Sequence, residues 1–136
     1  MDKDTKTIIF KEFAEKAKKR IEERKKLKTK QFKVEESDVV VTLRGLTEEE
    51  ISECTNMFES GLENDKYTIY LACRELQEAS AIMVQEGSLK ENERYKITEM
   101  FSLADRTELA KEILVISGVT GESSVKAVSE AEEVKN

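Results

Sequence analysis

The chain has 136 residues, with 23 Lys or Arg, 29 Asp or Glu, and no histidine, proline or tryptophan. A chain of this length is long enough for one domain with a core but too short for two domains. The lack of histidine excludes imidazole catalysis and metal sites that use histidine. Apolar residues make up 38% of the chain, below the ~45–50% of ordinary globular domains, which predicts a modest core.

Charge is distributed unevenly along the chain. Residues 1–33 carry 13 basic and 6 acidic side chains, whereas residues 34–136 carry 10 basic and 23 acidic ones. A basic arm on an acidic body is typical of a segment that binds nucleic acid or another anionic partner, of one that folds back on its own body, or of a solvated helix. Nucleic acid is the less favoured partner, because the lysines lack interleaved aromatic residues and a recognition motif.

The first predicted element is a helix over 7–28. Its apolar residues recur at spacings of three and four and form a narrow stripe of Phe10, Phe13, Ala14, Ala17 and Ile21. After residue 21 the stripe fades, which predicts an exposed second half. We interpret 1–30 as a basic amphipathic arm whose stripe is a docking surface.

The next segment changes its period. Apolar and polar residues alternate over 31–34 and again over 39–44, on either side of the polar residues 35–38. β-branched residues at period two around a polar break predict a β-hairpin. Because a two-stranded hairpin is marginal alone, it is expected to pack on a helix.

The chain after Gly45 is predicted to be helical. A capping box of Thr47 and Glu50 predicts a helix over 48–59. A longer helix, capped at residue 64 or 65, is predicted to run to residue 86 and to end at Gly87.

Two more helices complete the prediction. Ser88 and Glu91 resemble a second capping box, which predicts a helix to about residue 101, and a last helix begins at 102 or 105 and ends at Gly118. The predicted fold is therefore mainly α with a small β-hairpin (α+β), a compact domain of four to five helices. Residues 31–118 form its body, and 119–136 form a flexible acidic tail.

The sequence contains few residue patterns typical of a catalytic, metal or cofactor site. Cys54 and Cys73 lie 19 residues apart without a further cysteine, which predicts two buried reduced thiols rather than a zinc site or a disulfide. The glycines are scattered singly, so no phosphate-binding loop is predicted, and the carboxylates are expected on solvated faces. No apolar run is long enough for a membrane span. We therefore predict a protein that is not an enzyme and has no cofactor, metal or small-molecule substrate.

Flexible and aromatic side chains near predicted helix ends indicate candidate partner contacts. The candidates are Phe10, Phe13, Ile21, Met57, Phe58, Met83, Met100 and Phe101. The alternative for those in the body is ordinary core packing at helix junctions.

The order of elements resembles a known family. A charged N-terminal segment precedes Val-Val-Val-Thr-Leu-Arg at 39–44, Leu-Thr-Glu-Glu-Glu at 46–50 and Tyr-Leu-Ala-Cys at 70–73. A late helix at 109–118 and a polar end, Glu-Glu-Val-Lys-Asn at 132–136, follow. Over residues 30–136 this arrangement resembles the XkdN-like tail assembly chaperones of phages and phage-derived elements.

The resemblance implies a non-enzymatic function. Such a protein binds the long, helical, aggregation-prone tape-measure protein in the host bacterial cytoplasm until tail-tube subunits polymerise around it, and it is absent from the mature virion. Two alternatives stay open: a small nucleic-acid-associated protein that uses the arm over 18–33, or a structural subunit of the tail. The sequence does not distinguish a monomer from a homo-oligomer.

Overall fold

The computed structural model describes residues 3–121 and 123–128. In this part of the chain the fold is mainly helical with one antiparallel hairpin, which confirms the predicted α+β class. The elements are α1 (Lys3–Lys25), β1 (Thr29–Val34), β2 (Val39–Arg44), α2 (Glu48–Asn56), α3 (Gly61–Ala72), α4 (Arg74–Gln85), a 3₁₀ helix (Glu91–Met100) and α5 (Leu103–Ile116).

The hairpin forms where the alternating pattern predicts it. Phe32 pairs with Val41 and Val34 with Val39, around a turn in which Asp38 has a positive φ of 53°. The inward face of β2 places Val41 and Leu43 in the core. No strand of the described chain pairs with the outer edge of β1, so that edge is open.

Helix α2 begins with the predicted capping box. The Thr47 hydroxyl accepts from the Glu50 amide at 3.1 Å, and the Glu50 carboxylate accepts from the Thr47 amide at 3.0 Å. The helix ends at Asn56, three residues earlier than predicted. The Asn64 side chain fixes the following loop, because it accepts from the Phe58 amide at 2.8 Å and donates to the Thr55 carbonyl at 3.0 Å.

The predicted single helix over 64–86 is wrong: the segment forms α3 and α4, separated by one extended residue. Cys73 has φ −126° and ψ 109° and bridges Leu43 of β2. Close by, the amide of Thr42 donates to Glu75 at 3.1 Å. Pairing with the edge of β2 thus replaces helical bonds at this point. The Gln77 side chain donates to the Tyr70 and Leu71 carbonyls at the end of α3, and the Tyr70 carbonyl also accepts from the Cys73 amide.

The predicted helix over 88–101 is a 3₁₀ helix over Glu91–Met100 that is kinked at Glu93, where φ is −121° and ψ is 21°, and it lacks the predicted Ser88 cap. Ser88 instead closes α4, since its amide donates to the Met83 carbonyl at 2.8 Å while Gly87 adopts a φ of 81°. This arrangement is a Schellman motif, which uses the residue that the sequence pattern assigned to the next helix. The 3₁₀ helix is held by Arg94, whose guanidinium donates to the Gln77 carbonyl at 2.7 Å and to the Ser80 hydroxyl at 3.1 Å.

Helix α5 starts at the earlier of the two predicted positions, with Ser102 accepting from the Asp105 amide at 3.1 Å. It ends at Ile116, and Gly118, which the sequence predicted as its terminus, follows the C-cap residue with a positive φ of 78°. The core lies between the hairpin, α2, α3, α4, the 3₁₀ helix and α5. Its fully buried large side chains include Leu43, Ile69, Phe101 and Ile113.

The predicted tail at 119–136 falls partly outside the described residues. Its described parts, 119–121 and 123–128, contain no helix or strand.

Candidate partner-binding surfaces

Helix α1 presents its apolar stripe to solvent. From residue 6 to residue 25 every side chain is exposed except that of Ala17, which is half-buried. Phe10 is 70% exposed, Phe13 73% and Ile21 56%. The three predicted contact residues of the arm therefore lie on one open helix face. An exposed apolar stripe of this kind is a candidate interaction surface.

Outside the stripe the α1 surface is mostly charged, although Ile8 and Ile9 are also exposed. Lys18 pairs with Glu15, Arg20 with Glu23, and Lys25 with Glu22, each one helical turn apart. Such exposed pairs add only about 0.3–0.5 kcal/mol each to helix stability. Residues 3–28 nevertheless carry 11 basic and 5 acidic side chains, so the stripe is framed by a positive surface.

A second surface lies on the body and consists of four half-buried rings, Phe58, Tyr67, Tyr70 and Tyr95. We call these four residues the aromatic row. The centroid of Phe58 lies 5.0 Å from that of Tyr95 and 6.5 Å from that of Tyr67, and Tyr67 lies 6.4 Å from Tyr70. Three elements supply the rings: the loop after α2, two successive turns of α3, and the 3₁₀ helix.

Charged side chains flank the aromatic row. The Tyr67 hydroxyl donates to Glu53 at 2.8 Å, and burial together with this carboxylate raises the pKa of Tyr67 to about 12. Lys66 bridges two carboxylates, with its Nζ 2.7 Å from Glu63 and 3.1 Å from Glu99. Acidic side chains therefore lie near Tyr67, whereas at the Tyr70 end of the row the Arg94 guanidinium lies 5.9 Å from the Tyr70 ring centroid.

The structure separates the candidate contacts of the body. Met57 and Met100 are exposed, and Phe58 belongs to the aromatic row. Met83 is partly buried against the core. Phe101 is only 1% exposed, so it is a core residue, and its side chain is not available to a partner. For Phe101, core packing at a helix junction is the correct interpretation.

Sequence analysis missed three members of the aromatic row. Tyr67 and Tyr70 stand three residues apart on α3, a spacing that places them on one side of a helix. Tyr95 had no such signal, because its position depends on the 3₁₀ helix packing across α3. The row could therefore be found only from the three-dimensional structure.

A polar groove between β2 and the start of α4 is less promising, because its charges are already paired. Arg44 makes a two-pronged contact with Glu50, with N–O distances of 2.9 and 2.7 Å. The hydrogen bond from Arg44 lowers the pKa of Glu50 to about 2, even though burial opposes the shift. Arg74, also on the groove, pairs with Glu78 at 2.9 Å.

The two cysteines are buried, as predicted. Burial raises the pKa of both thiols, to about 11 for Cys73, so both are protonated at neutral pH. Over 3–121 and 123–128, no cluster of three His, Cys, Asp or Glu side chains is arranged to hold a metal ion. No helix in the same residues has the length and apolarity needed to cross a bilayer.

Comparison of the chain with models of protein families, with curated proteins and with solved structures found no match. Arguments about function therefore rest on the two surfaces, α1 and the aromatic row.

Proposed function

We propose that this protein is a phage tail assembly chaperone that binds the tape-measure protein, with the stripe of α1 as its principal contact. The observation that supports the proposal best is the exposure of Phe10, Phe13 and Ile21 on one face of a 23-residue helix. A chaperone for a long helical protein needs such a face, since amphipathic helices associate through apolar residues at spacings of three and four.

The charge of the body suits the same task. Residues 34–136 carry 23 acidic and 10 basic side chains, and a net charge far from zero keeps a complex with an aggregation-prone partner in solution. The exposed Met57 and Met100 add adaptable contacts. The stripe offers only a few large side chains, so we expect contacts weak enough to exchange when tail-tube subunits arrive.

The test is co-expression with a candidate tape-measure protein, a large coiled-coil protein encoded by the same genome, followed by measurement of its soluble yield and co-elution in size exclusion. The variant Phe10→Ser/Phe13→Ser removes the centre of the stripe. Glu12→Ser/Lys19→Ser is a matched control, because it changes two exposed residues on the opposite face of the same helix and leaves the net charge unchanged.

We expect the wild type and the control to keep the coiled-coil protein soluble and to co-elute with it. The Phe10→Ser/Phe13→Ser variant should lose most of the soluble complex. If the wild type yields no complex and the coiled-coil protein stays insoluble, the proposal is wrong. Recovery of this chain from purified particles would instead identify a structural subunit of the tail.

A nucleic-acid-associated function is the second candidate, and the exposure of the basic side chains over 18–33 favours it. Binding to nucleic acid would weaken steeply with salt, because each phosphate contact releases counterions. An electrophoretic mobility shift that persists at about 50 mM salt and disappears at about 200 mM would support this function. No shift at either concentration would exclude it.

A further inference from the structure

We infer that α1 of one copy of this chain docks on the aromatic row of a second copy, so that two copies exchange their arms. The inference concerns the protein without any partner, and it does not depend on the proposed function.

The distribution of charge indicates which segment binds to the aromatic row. Residues 34–121 carry 19 acidic and 8 basic side chains, whereas residues 3–28 carry 5 acidic and 11 basic ones. An α1 helix placed beside another α1 would therefore bring two positive surfaces together. The body of a second copy instead offers a surface of opposite charge, which favours encounter and correct orientation.

The two surfaces also match in spacing. Neighbouring rings of the aromatic row are separated by 5.0, 6.5 and 6.4 Å. Residues three or four apart on a helix rise by about 4.5–6 Å, so Phe10, Phe13 and Ala17 recur at nearly the same interval as the rings. Phe10 and Phe13 can pack edge-to-face with the tyrosines, and neighbouring lysines can lie over ring faces or reach Glu53.

The short connection between α1 and β1 keeps α1 accessible to a second copy. Only Lys26, Leu27 and Lys28 separate α1 from β1, and the Lys28 carbonyl accepts from the Gly45 amide at 2.7 Å. This short connection leaves the stripe open in the single copy, whereas reversal onto its own body would require a sharp turn of the backbone. Reciprocal docking around a twofold axis would also use both contacts at once.

The oligomeric state of the purified full-length chain tests this inference. We would measure molar mass by light scattering after size exclusion at about 50 and about 500 mM salt, because screening weakens exposed charge contacts. We expect a dimer at low salt and a smaller dimer fraction at high salt. Phe10→Ser/Phe13→Ser should be monomeric, and Glu12→Ser/Lys19→Ser should remain dimeric.

A complementation experiment distinguishes this contact from pairing between two α1 helices. Glu53→Lys/Glu99→Lys reverses charge beside the aromatic row and leaves α1 intact. Alone it should be monomeric, as should Phe10→Ser/Phe13→Ser, but an equimolar mixture should form a heterodimer, since one intact arm then meets one intact row. Thermal melts followed by circular dichroism would verify that both variants are folded.

Three outcomes would overturn the inference. A wild-type monomer at low salt would mean that α1 stays free or folds on its own body. A dimer that persists in Phe10→Ser/Phe13→Ser would place the interface elsewhere. A dimer in Glu53→Lys/Glu99→Lys alone would mean that the arms pair with each other.

Discussion

The arm and the body use the same kinds of side chain in opposite ways. Phe13 in α1 is 73% exposed, whereas Phe101 between the 3₁₀ helix and α5 is 1% exposed. Arg20 and Glu23 pair within one helix, whereas Arg44 and Glu50 connect β2 to α2. In the arm these contacts lie within one helix, and in the body they join different elements.

The difference between the arm and the body shows that an apolar stripe alone does not produce a core. The stripe of α1 has the same three- and four-residue spacing as the buried face of α5, where Leu109, Ala110 and Ile113 pack against other elements. What differs is the presence of complementary faces in the same chain. The α1 stripe is therefore available for contact with another molecule.

The largest expected difference between the regions is in the free energy of unfolding after one phenylalanine is replaced in each. Phe101→Ala should reduce the free energy of unfolding by roughly 3–5 kcal/mol, because it leaves a cavity in the core. Phe13→Ala should change it by less than about 0.5 kcal/mol, because the side chain is exposed. Urea denaturation in dilute solution, followed by circular dichroism, measures both. Similar losses in the two variants would mean that α1 packs on its own body.

Limited trypsin digestion separates the regions by rate. We expect cleavage within residues 16–28 at least about 100-fold faster than any cleavage within 44–111, since proteolysis requires local unfolding and an isolated helix is marginally stable. The experiment uses dilute Phe10→Ser/Phe13→Ser, in which an exchanged arm would not protect α1. Mass spectrometry identifies the first product, and simultaneous cleavage of the body would contradict the expected difference.

The two Arg–Glu pairs provide a smaller contrast that depends on pH. Glu50 has a folded pKa of about 2, below its ordinary value of 4.5, so its charge stabilises the fold above pH 4.5 and less so as pH falls toward 2. Because both side chains are partly exposed, solvent screening limits the contribution to about 1 kcal/mol.

Glu50→Gln should therefore lose about 1 kcal/mol of unfolding free energy at pH 7, and the difference from wild type should vanish near pH 2. The matched variant Glu23→Gln should show no loss at either pH. Urea denaturation at pH 7, 4 and 2.5 measures the difference. A loss that does not depend on pH would contradict an ionic origin.

The smallest expected effect concerns glycine, which is absent from residues 1–44 and so occurs only after the arm and the hairpin. Gly61 begins α3, and an added Cβ would meet no atom within 4 Å. Gly61→Ala should therefore stabilise the body by about 0.4–1 kcal/mol through the unfolded chain. Gly87→Ala is the control with the opposite sign, because φ is +81° there. Thermal melts measure both changes.

Local sequence signals predicted the elements whose ends depend on neighbouring residues. The Thr47–Glu50 capping box, the Ser102 cap and the Gly118 terminus are all present. The alternation around residues 35–38 likewise predicted the hairpin. Each of these features is fixed within a few residues of chain, so a pattern of residue types is sufficient to predict it.

The missed features depend on distant contacts. The 3₁₀ conformation is held by Arg94 reaching Gln77 and Ser80 on α4, and the aromatic row combines Tyr95 with rings from two other elements. Phe101 was assigned to a surface because it stands near a helix end, although that end lies inside the body. The spacing of residues in the sequence does not show which distant residues come into contact.

The bend at Cys73 has a consequence for the order in which the chain acquires its structure. Residues 72–74 are Ala, Cys and Arg, none of which forbids a helix, so the local sequence is compatible with one continuous helix over 61–85. That helix is interrupted at the point where Leu43 pairs with Cys73 and Glu75 accepts from the Thr42 amide. The bend therefore requires the docked hairpin, and a distance between α3 and α4 measured by fluorescence energy transfer would report whether the hairpin is docked on the body.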